Sequence, residues 1–390
     1  MGMFKANVGS SVNCSPKEAG REAAAVAKQG LTEVKVAFLY ASCSYDMKEV
    51  INGVKEELPE TLVLGSTSFT GVITPDGYIG GDTPFVGILA LEDSDMSVGI
   101  ASLEKDGDAF ASGKILAKLA QASAGKTMAP DYFYMTASPG EEEFYLKGIS
   151  SVIGRVPFFG GSAADNSISG EWKLYADDNV FSDGATVAFF YDAPKMRNLF
   201  TGAYRETEDF GVITKISGNR TLVEIDGVPA TQKYAQWRGL DMEAVTGGNL
   251  LVTTITSPLG VKDRLGDLVA IRHPMNGNDD YSMAIGSNLS EKTCVIRMEA
   301  TVDELIESVG NTLQELIQRM PGKPLAFHLV HCGGRRAGIG DRIGEVYDQV
   351  KAVAGDIPFL MEFTFGEYGF ESDNNNTCGG LMLSFTGFCE

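Results

Sequence analysis

The chain has 390 residues, 44% of them hydrophobic and 22% charged, with 52 acidic side chains against 32 basic ones and a formal net charge of −20. A prior of ~150 residues per domain predicts two or three cores, and a field of this sign argues against nucleic acid and anionic membrane surfaces as partners. No window approaches the ~20 apolar residues of a membrane span and the N-terminus lacks the pattern of a signal peptide, which predicts a cytoplasmic protein; the six cysteines are scattered without C-x-x-C spacing, which predicts free thiols.

Along the chain, Ser15-Pro16-Lys17-Glu18 reads as a helix start, with Ser15 and Glu18 spaced as a capping box, and Gly30 closes that helix. Residues 36–41 form an apolar strand that runs into Ser42-Cys43. An amphipathic helix follows, then a second apolar strand, 62–66, ending in Gly65-Ser66. Residues 71–83 read as turns, 85–91 and 97–103 as strands, and the alanine-rich 108–124 as a helix. The strand-helix-strand pattern recurs over 132–161. Beyond it come close-spaced short strands, 172–175, 185–191, 211–216 and 221–225, of antiparallel character, and a short helix at 230–237.

Residues 238–248 contain no apolar run, which predicts a domain boundary dividing 1–237 from 238–390. Strands are expected at 250–256, 267–272 and 293–298. The helix 302–320 places Val302, Leu305, Ile306, Val309, Leu313, Leu316 and Ile317 on one face. A third strand-helix-strand unit, 325–366, and a strand at 381–385 complete the chain. Three such crossovers predict parallel strand pairs with right-handed connections. The expected fold is therefore α/β: a two-domain layered sandwich with mixed sheets, repeated strand-helix-strand crossovers and additional antiparallel strands.

Ligands of such folds sit beyond the carboxyl ends of the strands. The loops at Ser42-Cys43, Ser138-Pro139 and His331-Cys332, with the turns at Gly65-Ser66, Gly160-Gly161 and Gly366-Glu367, are thus the first candidates for a site. Familiar motifs give less. Gly125-Lys126-Thr127 has Ala120 where a phosphate loop needs its first glycine and follows a helix; Gly338-x-Gly340-x-x-x-Gly344 is one residue out of register for a dinucleotide fingerprint. His328 and His331 alternate across a strand and cannot grip one ion, so no metal and no cofactor is predicted.

Cys332 has two readings, a thiol activated by His331 and Arg335 or a buried structural cysteine. No G-x-S-x-G elbow exists. Phe365-Gly366-Glu367-Tyr368-Gly369 with Asn374-Asn375-Asn376-Thr377, and Gly160-Gly161-Ser162-Ala163-Ala164-Asp165, each place polar groups directly after a glycine turn that ends a strand.

Taken together these segments resemble the FIST family of paired N-terminal and C-terminal sensory domains. The resemblance runs through Tyr40-Ala41-Ser42-Cys43-Ser44-Tyr45-Asp46, Leu64-Gly65-Ser66-Thr67, Gly160 to Asp165, and Val223-Glu224-Ile225-Asp226-Gly227-Val228-Pro229-Ala230. It continues through Ser257-Pro258-Leu259-Gly260, Arg272, Cys332-x-Gly334-Arg335, Phe365-Gly366-Glu367 and Asn376-Thr377. It covers roughly residues 30 to 387, and order and spacing carry it. It implies small-molecule sensing, with amino acids or their derivatives as ligands and output through a separate signalling protein.

The site expected on that basis comprises Ser42, Cys43, Ser66, Thr67, Gly161, Asp165, Cys332, Arg335, Glu367 and Asn376. An arginine fork suits a carboxylate and an acidic side chain an ammonium, so Arg335 and Glu367 suggest a zwitterion. The expectation is a binding protein with no catalytic residues; the alternatives are a cysteine-dependent enzyme using Cys332 or Cys43, and a ligand-free interaction scaffold.

Overall fold

The computed structural model describes residues 4–262, 269–370 and 376–389. Each of the three repeated units forms its parallel pair: Val36–Ala41 with Leu62–Thr67, Tyr132–Ala137 with Phe158–Ser162, and Pro324–Cys332 with Phe359–Thr364. Antiparallel strands extend all three sheets, giving the mixed α/β architecture expected. Sheets draw strands from distant parts of the chain. The third unit's sheet takes in Gly71–Thr74, Gly77–Gly80 and Lys195–Thr201, and the second unit's takes in Glu367–Phe370 and Asn376–Gly379.

One face of each sheet is covered by its own helices. Ala23, Val50 and Val54 close the first, Leu116 and Ile149 the second, and Leu305, Val309, Val346 and Val350 the third. The opposite faces meet in a common core that includes Phe38, Phe159, Leu360 and Phe388. Inside it Tyr40 Oη lies 2.5 Å from His328 Nε2 and 3.1 Å from Tyr134 Oη, and Glu362 approaches the same imidazole at 3.6 Å. Burial raises the Glu362 carboxyl well above its ordinary range and lowers His328 to about 3, so this cluster is neutral rather than a salt bridge.

The covering helices pack backbone to backbone through glycines. A Cβ on Gly148 would stand 2.2 Å from Phe110 O and one on Gly113 2.3 Å from Tyr145 O; Gly20 and Gly53 make the same contact in the first unit.

Several expectations are corrected. Residues 71–83 form a hairpin, Gly71–Thr74 with Gly77–Gly80, instead of turns alone. The strand expected at 250–256 is the helix Asn249–Thr254: a short apolar run fits either state, and Thr254 Oγ1 bonding back to Leu250 O favours the turn. Ser15 caps Pro16–Ala27 without a side-chain hydrogen bond, and that helix ends before Gly30; a true capping box stands at Thr301 and Glu304. Strands Lys5–Ser11 and Lys195–Thr201 were not expected, and the last strand is Leu383–Cys389. Part of the strand expected at 267–272 lies outside the described residues, as do Asn374 and Asn375; Ala270–Arg272 is a strand.

Candidate functional site

The carboxyl ends of the second and third units converge on a cavity of about 220 Å³. Its apolar wall is Phe69, Ile168, Trp172, Leu251, Met275 and Phe365, with Trp172 and Phe365 edge to face at 6.2 Å. Backbone at Pro139-Gly140, which follows strand Tyr132–Ala137, and at Cys332-Gly333-Gly334, which ends Pro324–Cys332, brings main-chain groups to the same space. Arg220 and His273 contribute the polar side chains. Burial lowers His273 to about 4, leaving a neutral ring whose Nε2 donates to Leu251 O at 3.2 Å and whose Nδ1 is therefore an acceptor.

Arg220 is fixed before any ligand arrives. Its Nη1 donates to Gly286 O at 2.9 Å, and its Nη2 to Glu142 Oε2 at 2.8 Å and Glu143 Oε2 at 2.6 Å. Burial pushes the Glu142 carboxyl up while the guanidinium opposes that shift. Glu142 in turn accepts from Gly140 N at 2.7 Å and Ser162 Oγ at 3.2 Å, so one buried carboxylate holds the Gly140 wall against the strand end at Ser162. Across Pro139-Gly140 and Trp172 lies a second space, of about 260 Å³, lined by Lys105, Glu141 and Asp183; Lys105 pairs with both acids and Ser138 Oγ donates to Asp183 at 2.5 Å, so its charges are met internally.

The expected site residues fall into three places. Cys332 lines the cavity and Glu367 and Arg335 lie behind it, all buried. Arg335 does not line that cavity, and its Nε and Nη1 are buried without a hydrogen-bond partner. Its Nη2 donates to Leu305 O at 2.8 Å and Ser308 Oγ at 2.6 Å, tying the helix that follows Cys332 to the helix Val302–Arg319. Glu367 accepts from the Thr364 hydroxyl at 3.0 Å and Met382 N at 2.9 Å, and burial pushes its carboxyl up to about 8. Of the two readings of Cys332, the buried cysteine is the one the surroundings fit: burial, with Glu367 beside it, raises the thiol, and its sulfur accepts from Gly334 N and Leu381 N at 3.2 Å each. Cys43 is raised by burial as well.

Ser42, Cys43, Ser66, Thr67 and Asp165 gather at the end of the first unit. Ser42 Oγ is 2.8 Å from Ser44 Oγ, and Thr67 Oγ1 accepts from Lys173 N at 2.9 Å. Ser66 is buried, its hydroxyl without a partner. Asp165 is the organiser of this corner. Its carboxylate accepts from the N–H groups of Ser167, Ile168, Ser169, Gly170 and Glu171, and the loop so held carries Ile168 and Trp172 into the cavity wall. Gly161 pairs with Glu367 where a Cβ would meet Thr364 and Gly366 O. Asn376 stands apart, on a different pocket.

Arg220, His273, Trp172 and Phe69 escaped the sequence reading. The one available signal was Trp172, one of two tryptophans and set just after a glycine turn. Among the described residues no group of three His, Cys, Asp or Glu side chains is placed to hold a metal, and no helix is long and apolar enough to cross a membrane.

The family model described as the FIST N domain matches residues 35–228, and that of the FIST C domain matches 230–369. No curated protein matches the chain. Among solved structures, a cyanuric acid hydrolase from A. caulinodans aligns over 100% of both chains at 9% identity with a TM-score of 0.33. A further cyanuric acid hydrolase covers 99% of this chain and 100% of its own at 9% identity and 0.36, and PurLQS from Thermotoga maritima covers 99% and 73% at 11% and 0.25. Likeness this low carries no argument about activity.

Proposed function

This chain belongs to the FIST family, its N and C domains in tandem, and on that premise we propose that it recognises an amino acid or related zwitterion with an apolar side chain in the cavity between Trp172 and Cys332. FIST domains are sensory domains that bind small ligands in signal transduction. The observation that carries the reading is the joint construction of the wall: Pro139, Gly140, Ile168 and Trp172 come from the part matched by the N domain, His273, Cys332 and Phe365 from the part matched by the C domain. Aromatic faces with a few fixed polar groups suit an apolar body with a small polar end. Arg220, its charge already met by Glu142 and Glu143, can add one hydrogen bond from Nη1 to a carboxylate, and the neutral His273 supplies an acceptor for an ammonium.

In this reading the halves 1–237 and 238–390 act together, output passes to a separate signalling protein inside the cell, and Asp165 acts as a positioning residue through the loop it holds. Calorimetric titration with the apolar, aromatic, acidic and basic amino acids tests it. Saturable binding of an apolar or aromatic member is expected, weakened at least tenfold by Trp172→Ala at a temperature where circular dichroism shows the variant to be folded. A panel with no binder, or a binder indifferent to Trp172→Ala, overturns the assignment and leaves the interaction scaffold as the better reading.

A further inference from the structure

Building on the binding role given above, we propose that Gly286 and Gly380 set the specificity of the same cavity. They favour ligands that carry carboxylate and ammonium on one carbon, as α-amino acids do, over isomers that carry the two charges at opposite ends.

Five glycines line the cavity: Gly140, Gly286, Gly333, Gly334 and Gly380. The fold itself accounts for three of them. Gly140 has a φ of +130°, a conformation that side chains rarely adopt. A Cβ on Gly333 would stand 3.1 Å from Thr364 O, and one on Gly334 2.8 Å from the Leu381 side chain. Gly286 and Gly380 have neither reason. Their φ angles are not positive. Beyond its chain neighbours, a Cβ on Gly286 would come no nearer than 3.7 Å to His273 O and the Met275 side chain, and one on Gly380 no nearer than 3.6 Å to His273 Cβ. These are ordinary contact distances against two residues of the cavity wall, so an alanine there would take up cavity space without disturbing backbone.

The space concerned is the polar end of the cavity. Gly286 N donates to His273 O at 3.0 Å, and Gly286 O accepts from Arg220 Nη1 at 2.9 Å. The bare Cα of Gly286 thus sits between the attachments of the two polar side chains, Arg220 and His273. A head group with both charges on one carbon can meet the remaining N–H of Arg220 Nη1 and the acceptor Nδ1 of His273 together. An isomer with separated charges satisfies one of them and carries its other charge toward Phe69, Trp172 and Phe365, where a charge without a partner is costly.

The test is titration calorimetry of the full chain with two isomer pairs, L-norleucine against ε-aminocaproate and L-phenylalanine against para-(aminomethyl)phenylacetate. The α-isomer of at least one pair should bind at least tenfold tighter than its counterpart. Gly286→Ala and Gly380→Ala, which keep every peptide hydrogen bond and remove only space, should each weaken that α-isomer at least tenfold. The free variants should melt at or above the parent's temperature, because alanine at a compatible φ restricts the unfolded chain. A smaller preference in the parent, or a smaller loss in both variants, overturns the proposal while leaving the binding role intact. Melting points of both variants below the parent's would show that the fold requires these glycines and overturn it without reference to a ligand. A parent that binds none of the four probes removes the binding role, and the proposal with it.

Discussion

Arg220, just beyond strand Arg205–Ser217, places Nη2 2.8 Å from Oε2 of Glu142 at the first turn of helix Glu142–Ile153, joining two sheets that share no strand. The pair is nearly dry, the side chains 19% and 4% exposed. Glu142 also anchors Gly140 and Ser162, so the contact is both a fastening and part of the cavity wall.

Removing the guanidinium leaves that carboxylate buried and unmatched. Arg220→Met should destabilise the protein by roughly 2–4 kcal/mol, below the ~3–5 kcal/mol of a fully dry pair because Arg220 keeps some solvent. Glu142→Gln in the same background should restore at least ~1 kcal/mol. Urea denaturation of both singles and the double closes the cycle; additive losses would mean that the two side chains act independently.

Asp165→Ala removes the acceptor for the backbone N–H groups of residues 167–171. Because these donors lie on exposed residues that water can reach, a loss of about 0.5–1.5 kcal/mol is expected, together with a red shift in the emission of Trp172, read in a Trp237→Phe background so that it is the lone tryptophan. Asp165→Asn can accept some of these bonds and should fall between. An unshifted spectrum in Asp165→Ala would show that the loop holds its shape without the carboxylate.

Gly148→Ala drives a methyl to 2.2 Å from Phe110 O, a backbone atom that cannot swing away. Helix propensity alone favours alanine by up to ~1 kcal/mol, so the sign of the result discriminates. Separation of the two helices should win, at about 1–3 kcal/mol of destabilisation. An equal or higher melting point for Gly148→Ala would refute the close approach.

The crossover units were legible because each combines an apolar strand of six residues or more, too long and too hydrophobic for a surface loop, with a helix of clear periodicity. Positions of strand ends followed, and with them the general place of the cavity. Side-chain destinations did not. Arg335 looked like a ligand-facing cation because it follows a strand end, yet its partners Leu305 and Ser308 lie on a helix about thirty residues upstream that no local pattern connects to it. Arg220 and Trp172 reach the cavity only through sheet pairings between distant segments. Asp165 stands out in the sequence as a carboxylate following a glycine turn, but the role of its oxygens toward its own loop depends on backbone direction, which side-chain pattern does not encode.

Glu367 and His273 contribute slopes of opposite sign to the protein's pH profile. In the folded state Glu367 holds its proton up to about 8, whereas an ordinary glutamate gives it up near 4.5. Across that interval the folded form binds more protons than the unfolded form, so stability falls as pH rises. His273, lowered to about 4 from 6.5, acts oppositely: between those values the unfolded form binds the extra proton and stability climbs with pH. The two slopes oppose each other from 4.5 to 6.5, where the lowered His328 acts with His273 and the raised Glu362 with Glu367; from 6.5 to 8 the histidines no longer contribute and Glu367 supplies up to about 1.4 kcal/mol per pH unit of the fall. Glu367→Gln keeps an acceptor for Met382 N but cannot ionise beside Cys332, so it should flatten that alkaline descent and leave the rise from 4 to 4.5 in place. Chemical denaturation at half-unit steps from pH 4 to 8.5 measures both flanks; parallel curves for the parent and Glu367→Gln between 6.5 and 8 would mean that Glu367 is already ionised in the folded core, with Arg335 as its counter-charge.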